Sequence, residues 1–283
     1  MNGFVLIDKP EGWTSRDVCN KIRHLLNVEK SGHTGTLDPF ATGLLIISLN
    51  KATKAGIYLE NDDKEYETEL ILGKKTMTGD KTSEVIETCD VPLFNEEDIK
   101  EVFETFIGKQ EQIPPMTSAI HYNGVKLYEL AHKGIEVERK ARNIEIKKLE
   151  LLGFSQNAIR FRCLVSKGTY IRVLAEDIAK KLNTVGYLSS LRRVGVGTFR
   201  IEDAKPLMEV KSSDVFSIRS ALNRYLPEYK LEVSQDKRVY DGASMRILNI
   251  AQDRILMISS KEEAIAIYGR KENDDFVCLR GLW

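Results

Sequence analysis

This chain has no net charge, no cysteine cluster, no long apolar run and none of the common nucleotide-binding glycine signatures. Lys plus Arg and Asp plus Glu each number 42, so the average charge points to no partner of either sign. Cys19, Cys89, Cys163 and Cys278 stand far apart and lack metal-ligand spacing. That argues against a disulfide framework and makes a cytoplasmic home the expectation. No apolar run approaches the length of a membrane span, so no membrane is expected. The chain opens on the strand-like Phe4-Val5-Leu6-Ile7, with neither a basic n-region nor a cleavage site. Gly-x-x-x-x-Gly-Lys, Gly-x-Gly-x-x-Gly and a His/Glu zinc motif are all missing. His24, His33, His121 and His132 are dispersed, and no Ser/His/Asp arrangement can be read from order alone. Nothing in the chain demands a cofactor or a metal.

What is present suits an ordinary globular protein: 42% hydrophobic and 30% charged residues over 283 positions, enough for one large domain and a small one. The zero charge hides an asymmetry. Gly79 to Glu104 carries nine acidic and two basic residues, and Ala158 to Arg200 carries nine basic and two acidic ones. A basic stretch of this kind can form a nucleic-acid face, or its charges can be scattered over several solvated faces. The acidic stretch reads as a solvated outer surface.

The densest local signal is Gly32-His33-Thr34-Gly35-Thr36-Leu37-Asp38-Pro39-Phe40-Ala41-Thr42-Gly43. Its glycines allow tight or left-handed turns, and Pro39 restricts the backbone of Asp38. Such a loop can aim one carboxylate beside a rigid element. Equally, Asp38 can be an ordinary turn residue. Before it, Thr14 and Asp17 form a capping-box pattern ahead of Val18, Ile22, Leu25 and Leu26, one apolar helix face. After it, Leu44 to Leu49 reads as a buried strand, Lys51 to Glu60 as a short helix and Asn61-Asp62-Asp63 as a polar turn.

Tyr66 to Gly73 and Ser83 to Cys89 read as half-buried strands. Asn95 caps a helix with an acidic first turn and an apolar face of Ile99, Val102, Phe103, Phe106 and Ile107, closed by Gly108. Gln112 to Ala119 is extended and proline-stiffened, Lys126 to His132 a compact helix, and Ile144 to Phe154 a strand. Ile159 to Val165 alternates with Arg160 and Arg162 on a partly basic outer face, and a helix carrying Leu174, Ile178 and Leu182 follows. Leu188 to Arg193 has the spacing of a helical turn, and Val194 to Phe199 that of a strand. Beyond a looser polar helix between Lys211 and Pro227, the runs at Leu231 to Val233, Arg254 to Ile258, Ala264 to Tyr268 and Phe276 to Leu279 suggest a small β-rich appendage.

Chemistry could reside in Asp38, the loop aromatics Tyr66 and Tyr170, and the arginines Arg172, Arg192 and Arg193. A carboxylate, a stacking ring and a counter-charge can serve covalent chemistry on a base or a sugar. Each has a plainer role too: Tyr66 as strand packing, Arg172 as an exposed helix-start charge, Leu191 as core.

As an ordered set these residues resemble the TruB family of tRNA pseudouridine synthases. The Asp38 loop resembles the family's catalytic motif. So do Asp8-Lys9-Pro10-x-Gly12-Trp13-Thr14-Ser15, Lys64-x-Tyr66, Gln112-x-Pro114-Pro115-x-x-Ser118-Ala119, Leu127-Tyr128-Glu129, Ser166-Lys167-Gly168-Thr169-Tyr170-Ile171-Arg172 and Leu188-x-x-Leu191-Arg192-Arg193. The resemblance implies conversion of uridine 55 in the tRNA T-loop to pseudouridine, without cofactor or metal. Asp38 would be the catalytic carboxylate, through a covalent adduct or glycosidic cleavage at the sugar. Arg172 would pair with it and keep it ionised. Tyr66 would stack on the flipped base and take the C5 proton. Tyr170 and Leu191 would line the uracil pocket, and His33 would hold the T-loop open.

The implied fold is α+β. A catalytic domain, residues 1–227, would have a long mixed, largely antiparallel sheet flanked by helices and a central RNA cleft. Residues 228–283 would form a small β-barrel-like, PUA-like domain. The implied partner is tRNA, held by its T-arm and acceptor arm, with no DNA and a monomeric chain. Two positions depart from the family: Thr117 stands where Tyr is common, and His121 where Lys is common. The first removes an aromatic near the cleft, and the second gives a weaker, pH-dependent charge. A protein that binds or folds tRNA without catalysis is the competing reading. A guide-RNA-dependent synthase is another, although the chain lacks the long basic tails that would suit it.

Overall fold

The computed structural model describes residues 1–60, 62–131 and 133–283. Asn61 of the expected polar turn and His132 of the expected short helix lie outside the described residues. The chain divides into two compact units. One comprises Met1–Pro39, Gly43–Asn61 and Thr198–Trp283, and the other Phe40–Thr42 and Asp62–Gly197.

The first unit is built on the Gly3–Lys9 strand, which pairs antiparallel with Thr42–Leu49 and parallel with Lys205–Pro206. The short Ser31–His33 strand adds to the same Thr42–Leu49 strand. Leu44, Leu45, Ile46, Ile47 and Leu49 are all buried, as the unbroken apolar run requires. Each such side chain contributes about 1.5–3 kcal/mol by leaving water. The Ser15–Leu25 helix carries the expected capping box between Thr14 and Asp17. It buries Val18, Cys19 and Ile22, whereas Leu25 faces solvent.

The C-terminal part of this unit forms a five-stranded sheet. Its spatial order is Glu228–Lys230, Arg254–Ile258, Ala264–Glu272, Asp275–Gly281 and Met245–Arg246. It packs its own apolar cluster around Val239, Ile255, Met257, Tyr268 and Phe276. Leu231 to Val233 is not a strand. Glu232 and Gln235 form a reciprocal capping box, and Val233 opens the Val233–Tyr240 helix with its side chain exposed.

In the second unit, five antiparallel strands run in the order Gly186–Val196, Lys64–Leu72, Ala158–Val165, Arg142–Ser155 and Gly108–Gln112. The Ile171–Lys181 helix packs against the Gly186–Val196 strand. The expected helical turn at Leu188 to Arg193 is instead the middle of that strand. Leu188 pairs with Leu70 and Leu191 with Thr68, so four residues on one strand match three on the other. A β-bulge absorbs the extra residue, and both leucines face inward at a spacing that imitates a helix. Ser83 to Cys89 is not a half-buried strand: Val85–Thr88 is exposed along its length and pairs antiparallel with Lys74–Thr76, of which Thr76 is buried. The acidic helix, Glu96–Glu104, is capped by Asn95 as expected, but Ile107 lies beyond its end and is exposed.

All four cysteines are free thiols, and burial separates them. Burial pushes the Cys19 thiol up to about 11 and the Cys163 thiol up to about 12, whereas Cys89 is exposed. Since the thiolate is the reactive form, Cys89 will react first with a disulfide reagent at neutral pH. Cys19 and Cys163 will react only on unfolding, which titration with and without denaturant will show. Among the described residues no helix is long and apolar enough to cross a membrane.

Candidate active site

Asp38 lies in the first unit, half-buried, in a loop held from both sides. On its N-terminal flank, Ser15 makes a reciprocal pair with Leu37. The serine Oγ accepts from Leu37 N–H at 2.9 Å and donates to the Leu37 carbonyl at 3.1 Å. On its C-terminal flank, the Pro39 carbonyl accepts from Gly12 N–H at 2.8 Å and from the Lys9 ammonium at 3.2 Å. Lys9 is fully buried, and its Nζ also donates to the carbonyls of Trp13 at 2.6 Å and Pro10 at 3.0 Å. Three carbonyl dipoles thus take the place of water around the cation, as a buried charge requires. Gly35 and Gly43, at φ of 123° and 100°, supply left-handed turns on either side of the loop. His33 closes the Ser31–His33 strand opposite Ile47 and is partly exposed.

Tyr66, Leu191, Tyr170 and Arg172 belong to the second unit. Tyr66 pairs across the sheet with Arg193, and Leu191 with Thr68, so Tyr66, Thr68, Leu191 and Arg193 share one buried face. The opposite face of the same strand carries Glu65, Glu67 and Glu69. Arg162 is bonded to Glu67 at 2.5 Å, and Arg160 stands across from Glu69. Arg172 and Arg193 are buried. Two of the nine basic residues of this stretch are thus buried and Arg162 is ion-paired, while Arg160, Lys167, Lys180, Lys181 and Arg200 are exposed.

Tyr170 and Arg172 stand at the start of the Ile171–Lys181 helix. Tyr170 N–H donates to Gln112 Oε1 at 2.8 Å, and Gln112 Nε2 donates back to the Tyr170 carbonyl at 3.2 Å. Arg172 donates from Nη1 to the Thr78 carbonyl at 2.7 Å and to Thr117 Oγ1 at 2.6 Å, and from Nη2 to the Thr117 carbonyl at 3.2 Å. Asp80 Oδ2 lies 3.7 Å from Nη1, and both side chains are buried. The acidic stretch thus splits: Asp80 faces a buried arginine, while Glu96, Glu97 and Asp98 are exposed. One helical turn beyond Arg172, burial pushes the Glu176 carboxyl up while Lys75 and Arg172 pull it down. His121 is exposed and pairs across a two-residue ladder with Lys126. Lys9, Ser15, Gln112, Thr78 and Thr117 carry this architecture, and none had a readable role in the sequence. The only signal was that four of them fall inside or beside the recognised motifs. Among the described residues no cluster of His, Cys, Asp and Glu could hold a metal ion.

Residues 23–171 match the N-terminal domain of TruB family pseudouridylate synthases. The tRNA pseudouridine synthase B of Psychrobacter cryohalolentis is 39% identical over 269 residues, covering 90% of this chain and 74% of that protein. Its namesake from Geobacillus thermodenitrificans is 39% identical over 287 residues, covering 95% and 94%. Among solved structures, a chain of a Cbf5–Nop10–Gar1 complex superposes with a TM-score of 0.72 at 26% identity, over 96% of this chain and 79% of that one. The mixed α+β fold is common to both. The chain belongs to the TruB family of pseudouridylate synthases.

Proposed function

We propose that this chain isomerises uridine 55 in the T-loop of tRNA to pseudouridine, with Asp38 as the catalytic carboxylate. Conversion of a tRNA uridine to pseudouridine follows from the family and from relatives named tRNA pseudouridine synthase B at 39% identity. The Cbf5–Nop10–Gar1 chain is more distant, at 26%, which favours a stand-alone tRNA enzyme over a member of a multi-protein complex. The observation that carries the assignment to Asp38 is the backbone clamp on Leu37 and Pro39. It holds the backbone on both sides of a half-buried carboxylate, so the loop itself sets the direction in which Asp38 points.

The reaction is balanced within the nucleotide. The N1–C1′ bond breaks, the uracil turns, a C5–C1′ bond forms, C5 gives up a proton and N1 ends with one. No electron is gained or lost, and a carboxylate at the sugar and a base for the C5 proton are the groups required. Tyr66 stacks on the everted uracil and takes that proton. Tyr170 and Leu191 line the pocket, Arg172 is the counter-charge to the catalytic carboxylate, and His33 holds the T-loop open. Everting the nucleotide costs a few kcal/mol, offset by stacking and phosphate contacts. Residues 1–227 then form the catalytic part and residues 228–283 a PUA-like module for the acceptor arm, in a monomer working in the cytoplasm.

The test uses an unmodified tRNA transcript carrying tritium at C5 of its uridines. Excess purified chain should release one tritium per tRNA, and sequencing should place the pseudouridine at position 55. A transcript that is bound but keeps all its label would identify a tRNA-binding protein instead. Release from a uridine outside the T-loop would overturn the assigned position.

A further inference from the structure

We propose that Thr117 is a positioning residue: its hydroxyl, together with the Thr78 carbonyl, fixes the rotation of the Arg172 guanidinium. This rests on the reading above, in which Arg172 is the counter-charge to the catalytic carboxylate. An arginine Nη1 carries two hydrogens. Here one goes to the Thr78 carbonyl at 2.7 Å and the other to Thr117 Oγ1 at 2.6 Å. Nη2 adds a bond to the Thr117 carbonyl at 3.2 Å. Asp80, at 3.7 Å from Nη1, is beyond hydrogen-bond length and acts by charge alone. A planar fork tied at both terminal nitrogens cannot turn about its long axis. The direction of its Nε–Nη2 edge, where bidentate pairing takes place, is therefore set by two neutral threonines.

Both threonines sit on segments that are themselves held. Gln112, five residues before Thr117, is tied to Tyr170 by the reciprocal amide pair. The Pro114 carbonyl accepts from Arg139 at 3.2 Å, and the Ser118 carbonyl accepts from Tyr128 N–H at 3.1 Å. Thr78 N–H donates to Ser83 Oγ at 2.9 Å, and Gly79 follows at φ of 74°. A Cβ at Gly79 would lie 3.4 Å from Arg172 Cβ, so the turn packs directly on the arginine helix, and its φ of 74° favours glycine there. The contact depends on a short side chain. A tyrosine oxygen stands several ångströms farther from the backbone, so the residue common in the family at this position could not place its hydroxyl where Thr117 places its own.

The experiment measures single-turnover pseudouridine formation, tRNA Kd and melting temperature for the wild type, Thr117→Val, Thr117→Ser, Arg172→Lys and the Thr117→Val/Arg172→Lys pair. Loss of one hydrogen bond to a charged group should slow Thr117→Val by about ten- to hundred-fold. The tRNA Kd should stay within about two-fold, because tRNA binding is dominated by phosphate contacts elsewhere. Thr117→Ser, which keeps the hydroxyl, should remain within about three-fold of the wild type. In the Arg172→Lys background Thr117→Val should slow the reaction no further, since its effect passes through the guanidinium. Thr117→Ala carries the same expectation and replaces valine if the valine variant shows no cooperative melting. A Thr117→Val rate equal to wild type, an equal loss in both arginine and lysine backgrounds, or a loss confined to Kd would each overturn the proposal while leaving the proposed function intact. A wild-type chain that forms no pseudouridine would overturn both.

Discussion

Asp38→Asn should lower single-turnover pseudouridine formation by roughly ten thousand-fold or more, the scale at which removal of a catalytic nucleophile or base is felt. tRNA binding should change by no more than about three-fold, since phosphate contacts dominate it. Asparagine has the shape of aspartate, tolerates the same turn conformations and leaves the backbone clamp from Ser15, Gly12 and Lys9 in place. What it loses is the charge. An amide is neither a nucleophile at C1′ nor a base for a sugar proton. Rapid-quench kinetics with excess protein, paired with filter binding of the same tRNA, separates the two quantities. A variant within a hundred-fold of the wild-type rate would place the catalytic carboxylate elsewhere.

The Asp38 loop stood out in the sequence because backbone-shaping residues are read locally. Gly35 and Gly43 do adopt left-handed conformations, and Thr14 with Asp17 does cap a helix, because each depends on neighbours a few residues away. The failures share a different cause. Leu188 and Leu191 imitate a helix because a bulge shifts one strand against its partner, and no single strand records its register with another. Leu231 to Val233 has strand-like residues, but Glu232 and Gln235 start a helix there. Arg162 and Arg193 count alike in a charge sum, although one is paired with Glu67 and the other is buried. The supports of Arg172 were the least visible. They are a carbonyl 94 residues away and a hydroxyl 55 residues away, and carbonyls have no identity in a sequence. Resemblance to a family could name Arg172 without saying what aims it.

Lys9 shows what this distance effect means for the Asp38 loop. In the sequence it is the lysine of a Lys-Pro turn; in the fold it is an ammonium at 0% exposure, with Nζ hydrogen bonds to Pro10, Trp13 and Pro39. Lys9→Met keeps the length of the stem and removes the donor. Pro39 retains its bond from Gly12 N–H, but the other two carbonyls lose the cation that satisfied them. Pro10 is exposed and Trp13 half-buried, so water can reach their carbonyls, and the variant should be only about 1–2 kcal/mol less stable in urea unfolding at an unchanged slope. Against a total stability of about 5–15 kcal/mol this lowers the melting temperature by a few degrees without unfolding the chain. Activity should fall further than stability alone implies. The cation spans the turn before the helix and the residue after Asp38, so its loss lets the carboxylate wander, and small misplacements at a reacting centre can cost about a hundred-fold. The rate should therefore drop well below the folded fraction measured by circular dichroism at the assay temperature, with tRNA Kd nearly constant. If Lys9→Met keeps both its stability and its rate, the loop is held by Ser15 and Gly12 alone, and the buried ammonium has no part in aiming Asp38.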